Sequence, residues 1–396
     1  MIYKWLNNNL QYALDVCVAL LIFFVPLSPA FPNILMAPAS LLTLFILLNK
    51  RTFKQPVFWY LLIVFALSLL FQSFLVNDFL SELDFQRRLF AGILIFTLVS
   101  NTKRQWLLEK AFWLGLSIAI IYSLGLIIYK SIYISGFSIG VGKNVHNALI
   151  MERPYFAFAT VLGNYLIFRN IRYRNISKYY YALAFLFGSF CFFISAKLGI
   201  ALHIILLFHH TYRSIDKLKV KHVFLSLISL IIIGFALIKN PYLKERLRIS
   251  DNWESTIRKI KVYEPRFVIW PCSYESVLNN GLAGFHSHQK LKEELVKCYA
   301  NRIKKKGKRD YYLKAKFNTH NQYLDSLLAG GFVTFLLLMA AILWPFINYK
   351  YYDQLFTIFM LFIAFFMVEN VLLRQTGCFL FGIFAALGYN YDQQKN

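Results

Sequence analysis

Acidic residues are scarce in this chain: 19 Asp and Glu stand against 43 Lys and Arg, and charged residues make up only 16% of its 396 positions. A water-soluble chain of this length covers its surface with charge of both signs, so this composition excludes an ordinary soluble fold. The sequence also lacks a Gly-rich phosphate loop, a dinucleotide fingerprint and the paired aspartates of metal–nucleotide chemistry, which leaves a cytoplasmic ATP or nucleotide-sugar reaction unsupported. No internal repeat or low-complexity tract is visible. No small-residue cleavage site follows the first apolar run, 12–31, so that run is expected to stay as the first helix.

Apolar sequence is abundant, at 58% hydrophobic and 18% aromatic residues. At about 20 apolar residues per crossing, the runs 12–31, 33–49, 57–76, 86–100, 107–129, 153–169, 179–196, 197–211, 222–239, 323–348, 354–372 and 375–391 read as helices. The expected fold is an all-α polytopic membrane protein with about twelve transmembrane helices. Residues 1–239 form one membrane domain, 240–319 a mostly helical periplasmic loop domain, and 320–396 a second membrane domain.

Charge orients these runs. Lys50, Arg51 and Lys54, then Lys103 and Arg104, then Arg169, Arg172, Arg174 and Lys178, then Arg213, Lys217, Lys219 and Lys221, and finally Lys350 occupy loops on one side. The positive-inside rule makes that side cytoplasmic, with both termini inside, and puts Asp78, Glu82 and Asp84 outside. The net charge of +24 thus reflects orientation and anionic lipid rather than nucleic acid. The polar stretch 240–318 falls outside despite Lys304, Lys305, Lys306, Lys308 and Arg309, because long loops escape the charge rule. It reads either as a solvated domain with basic faces or as a surface for phosphorylated or acidic glycolipids. Helices are expected there near 251–263, 265–278 and 288–304.

Five cysteines are present; Cys17, Cys191 and Cys378 read as small apolar fillers of helices. Cys272 and Cys298 share the outer stretch, where an oxidising compartment permits a disulfide.

The densest polar signal is Thr319-His320-Asn321-Gln322-Tyr323-Leu324-Asp325, at the outer mouth of a helix. Thr319 and Gln322 have capping-box spacing, which assigns Thr319 to the N-cap and His320 to the first helical position. The helix dipole there favours neutral imidazole, the proton-accepting form, and also suits an anion. Arg266 precedes Trp270 by four residues after Glu264-Pro265, a spacing that serves either a cation–π pair or an arginine aimed at an oxyanion. Lys197 begins a run at a tight hairpin, Arg153 opens another, and Glu369 and Arg374 flank the last outer turn. Each has a plain structural reading as a snorkelling, anchoring or paired residue, beside the functional one that charged groups at membrane depth invite. His286 and His288 have no carboxylate or thiolate at ligand spacing and read as loop residues, not a metal site. His203, His209, His210 and His222 read as interfacial or packed.

Three motifs together resemble the O-antigen ligase and O-antigen polymerase superfamily. They are His320-Asn321-Gln322-Tyr323-Leu324-Asp325 followed by Gly330-Gly331; Arg266-Phe267-Val268-Ile269-Trp270 followed by Gly281-Leu282-Ala283-Gly284-Phe285; and Glu369-Asn370 with Arg374-Gln375 and Gly377. The resemblance implies glycan transfer without metal or other cofactor, from an undecaprenyl diphosphate carrier, on the periplasmic face of a bacterial inner membrane. The acceptor is lipid A–core oligosaccharide in a ligase and another lipid-linked glycan in a polymerase; a protein acceptor belongs to the same chemistry. The resemblance casts His320 and Arg266 as catalytic residues, Lys197, Arg153 and Arg374 as diphosphate-binding, and Trp270, Asn321, Tyr323 and Glu369 as supporting. Lys197 stands where the family usually has an arginine, which keeps the charge and loses the two-pronged fork. Aromatic spans with few charges suit a groove for a polyprenyl tail. A transporter or lipid flippase is the reading from another class. It calls for ionisable groups near the bilayer midplane and inverted repeats, whereas the candidates here gather at the outer mouth.

Overall fold

A computed structural model describes residues 2–50, 55–137, 142–174, 176–177, 179–213, 252–280 and 282–395. The run expected at 222–239 lies outside the described residues, as do Arg51, Lys54, Lys178, Lys217, Lys219, Lys221, His222 and Gly281. The described residues are helical throughout, with no strand. In chain order the helices are α1 (Ile2–Phe24), α2 (Ala30–Lys50), α3 (Val57–Leu75), α4 (Phe79–Ser100), α5 (Gln105–Tyr133), α6 (Gly142–His146), α7 (Arg153–Tyr173), α8 (Tyr180–Phe193) and α9 (Lys197–Arg213). After these come α10 (Trp253–Tyr263), α11 (Arg266–Asn280), α12 (His288–Arg302), α13 (Lys306–Ala315), α14 (Gln322–Ile347), α15 (Asp353–Phe366) and α16 (Gln375–Lys395). A 3₁₀ turn, Val371–Leu373, joins the last two.

Among the described residues four helices are long and apolar enough to cross a membrane: Ala30–Leu48, Val57–Leu75, Gln105–Tyr133 and Gln322–Ile347. Their outward faces carry large apolar side chains, among them Leu41, Leu44 and Phe45 on α2 and Phe71, Phe74 and Leu75 on α3. That pattern suits lipid rather than water, and the chain is in keeping with a helical membrane protein. Several boundaries differ from the expected ones. α1 starts earlier and ends at Phe24, because the residue before Pro26 is biased away from helix. α4 starts at Phe79, so Glu82 and Asp84, expected in a loop, are helical. α15 stops at Phe366, and the residues after it form the turn that carries Glu369 and Asn370.

The chain divides into two compact units. One comprises residues 1–18, 34–105 and 262–396; the other comprises 19–33 and 106–261. The core of the first unit is α4 against α16, with α3 against α14. Gly92 and Gly382 permit the first contact: a Cβ on Gly382 would lie 2.2 Å from the Gly92 carbonyl oxygen. α14 is interrupted at Gly331, whose φ of 71° and ψ of −174° suit glycine alone. The segment 282–285 runs along this break. Phe285 N–H donates to Leu328 O (2.6 Å) and Phe332 N–H to Leu282 O (2.8 Å), so the backbone groups freed by the break find partners. Irregular backbone in such a helix is tolerated where protein covers it.

In the second unit α7 packs on α8 and α9, and Trp113 Nε1 donates to Gly163 O at 3.2 Å. Buried Glu109 pairs there with Arg174 at 3.3 Å and Arg169 at 3.8 Å.

Cys272 of α11 and Cys298 of α12 are disulfide-bonded, with Cα atoms 5.8 Å apart and a sequence separation of 26. Opening this link frees the unfolded chain, so Cys298→Ser is expected to cost about 2–4 kcal/mol. A lowered unfolding temperature of the purified protein in detergent, matched by mild reductant on the wild type, checks it.

Candidate functional site

The histidine turn is built differently from a capping box. Asn321, not Thr319, is the N-cap of α14: its Oδ1 accepts from the N–H groups of Tyr323 and Leu324, both at 3.0 Å. His320 therefore lies outside the helix, in left-handed backbone with φ 46°. Such a conformation costs on the order of 1–3 kcal/mol for a residue with a Cβ, so both neighbours must hold it. Asn321 Nδ2 donates to Met367 O (3.1 Å), and Thr319, freed from capping, is tied to Asn370 and Asp325.

The imidazole of His320, 22% exposed, meets Glu369 through Nδ1 at 3.3 Å. The other carboxylate oxygen of Glu369 receives Arg266 Nη2 at 3.4 Å. Arg266 further donates from Nη1 to Glu264 (2.6 Å) and from Nη2 to Val368 O (2.7 Å). Three residues singled out in the sequence thus form one chain of contacts, imidazole–carboxylate–guanidinium, all partly open to solvent. Arg266 and Glu369, each given a local partner in the sequence reading, meet each other here across 103 positions of sequence. If Nδ1–H donates to Glu369, Nε2 carries the free lone pair, and the site offers a proton acceptor beside a cation.

A buried polar network lies alongside. His288, the first residue of α12, is 6% exposed and stands between two carboxylates. Its Nδ1 lies 2.8 and 3.0 Å from the oxygens of Glu82, its Nε2 2.9 Å from Asp325 Oδ2, and its own N–H donates to Glu82 at 3.0 Å. Gln86 donates to Glu82 at 2.6 Å. Burial alone would drive the His288 cation out, but Glu82 and Asp325 outweigh it and raise its pKa from 6.5 to about 10. His286, also read as a loop residue, meets Gln72 Oε1 at 3.0 Å through Nδ1. These histidines bind the segment between α11 and α12 to α3, α4 and α14. The reading of His288 as a loop residue is thereby corrected. Sequence offered one clue, a lone acid and a glutamine near an apolar run, but its partner stands 206 residues away.

Asn321 caps α14 and braces the turn that bears Glu369 through Met367 O, while Tyr323 donates its hydroxyl to Ile363 O within α15 at 3.1 Å. Trp270 is 36% exposed on α11. Arg374 is exposed just before α16. Lys197, exposed at the start of α9, and Arg153, at the start of α7, belong to the other unit. Among the described residues no group of His, Cys, Asp or Glu is arranged to hold a metal ion. No protein-family model matches the chain, and no curated protein matches it.

The His288 cation sets a pH dependence. A group whose folded pKa is raised contributes stability in full below its unfolded value and loses it as pH rises through the folded one. The unfolding temperature in detergent should therefore fall between pH 6.5 and about 10. His288→Gln should flatten that slope and destabilise the protein by about 3–5 kcal/mol, since two carboxylates would be left buried without a cation.

Proposed function

We propose that this protein is a membrane glycosyltransferase of the O-antigen ligase type. In this reading it moves a glycan from undecaprenyl diphosphate to lipid A–core oligosaccharide on the periplasmic face of a bacterial inner membrane, with both termini cytoplasmic. The observation that carries it is the His320–Glu369–Arg266 array, a base oriented by a carboxylate next to a cation suited to phosphate oxygens. The Cys272–Cys298 bond supports placing the outer segment in an oxidising compartment.

The chemistry follows from the groups present. An acceptor hydroxyl is a poor nucleophile until its proton is taken, and His320 Nε2 takes it as the oxygen attacks the anomeric carbon. The bond from that carbon to the diphosphate oxygen breaks, its electron pair leaves with the diphosphate, and Arg266 offsets the charge that develops. Arg266 is held by Glu264 and Glu369, so the incoming diphosphate exchanges with those carboxylates. Glu369 is then left to His320. Lys197, Arg153 and Arg374 are further diphosphate-binding candidates on sequence grounds.

His320→Ala is expected to insert and fold while transfer falls by about 10²–10⁴-fold, measured with purified protein, lipid-linked donor and acceptor in detergent. Full transfer by the variant would remove His320 from its role. Activity with no second compartment present would also set aside the transporter reading. The polymerase reaction uses the same groups, and a deletion strain separates the two: long glycan left on the carrier marks a ligase, and a single repeat on the core marks a polymerase.

A further inference from the structure

His320 and Glu369 come from chain segments 49 residues apart, and their contact of 3.3 Å is partly open to water. A single partly exposed hydrogen bond of this kind contributes about 1 kcal/mol, too little to hold a left-handed backbone at His320. The register of the pair has to be set by what fixes the two segments. Each has a residue bound to the same carboxylate oxygen. Thr319, just before His320, donates to Asp325 Oδ1 at 3.2 Å, and Asn370, just after Glu369, donates to that same oxygen at 2.6 Å. Thr319 and Asn370 also bond to each other at 3.0 Å. Asp325 Oδ2 is held by His288, which in turn is held by Glu82. Thr319, Asn370, Asp325, His288 and Glu82 are all buried.

We infer that Asp325, locked by His288, is a positioning residue for the proposed transfer: it ties the base to its orienting carboxylate through Thr319 and Asn370. This rests on the reading of His320 as the base. Both segments turn about one atom, so a loss at Asp325 shifts the imidazole against Glu369, while Arg266 keeps its bond to Glu264. A displacement of about 1 Å costs about 10²-fold in rate in such arrangements. Because Asp325 acts through His320, its effect has to vanish when His320 is absent.

The test is a pairwise comparison in purified protein. Asp325→Ala is expected to lower kcat by about 10²-fold with KM for the lipid-linked donor unchanged, and Asp325→Glu to recover part of the loss. Added to His320→Ala, Asp325→Ala is expected to cause no further fall in the residual rate. Migration on a non-reducing gel reports whether the Cys272–Cys298 link, and so the outer segment, has formed. Should Asp325→Ala fail to fold, Asn370→Ala and Thr319→Val carry the same comparison, because they leave the His288–Asp325 pair in place. Unchanged kcat in these variants, or an equal further loss in the His320→Ala background, overturns the positioning role. Absence of transfer by the wild type counts instead against the proposed reaction.

Discussion

A histidine cation closed off between two carboxylates is the constraint on which the first unit depends. Glu82 comes from α4, His288 from the start of α12 and Asp325 from the first turn of α14, so one cluster joins three helices distant in sequence. Two acids and one cation leave a buried excess of negative charge, which is costly unless the remaining lone pairs are occupied. They are occupied: Gln86 and the His288 N–H donate to Glu82, while Asn370 and Thr319 donate to Asp325. That demand for donors draws Thr319 and Asn370 inward, and their neighbours His320 and Glu369 are placed side by side as a result. The arrangement at the site is therefore a consequence of the electrostatics beside it.

The parts of this protein legible in the sequence are those governed by local periodicity. Apolar runs marked α2, α3, α5 and α14 closely, and the helices of the outer segment began near their expected positions. His320 and Glu369 stand out in the sequence as polar residues at the ends of apolar runs, and Arg266 by its spacing to Trp270 after Glu264-Pro265. Their mutual contact does not, because Arg266 and Glu369 are 103 positions apart in sequence. His288 was misjudged for the same reason: its short-range surroundings contain no acid at useful spacing, and its partners come from α4 and α14.

The capping assignment failed on a narrower point. Thr319 and Gln322 have the spacing of a capping box, yet Asn321 is equally good at an N-cap, and spacing alone does not rank them. Tertiary demand decides it. Thr319 is needed at Asp325, and the Gln322 side-chain oxygen accepts from Leu372 N–H at 2.8 Å, so neither is available for the box. Moving the cap by two residues puts His320 outside the helix, where its ring reaches Glu369. Gly330-Gly331, a feature of the same motif, finds its reason in the break of α14, where the segment 282–285 supplies the missing backbone partners.

The same electrostatic reasoning extends to Arg266. Its guanidinium lies against two carboxylates and a carbonyl oxygen, a setting that satisfies the charge when no donor is bound. In the proposed reaction a diphosphate carries more charge than either carboxylate and matches the planar fork in two places, so it takes their place on the guanidinium. In that exchange Glu369 releases the guanidinium and keeps the imidazole, which it then orients alone. Donor binding and the orientation of the base are thus coupled, in that reaction, through this one residue.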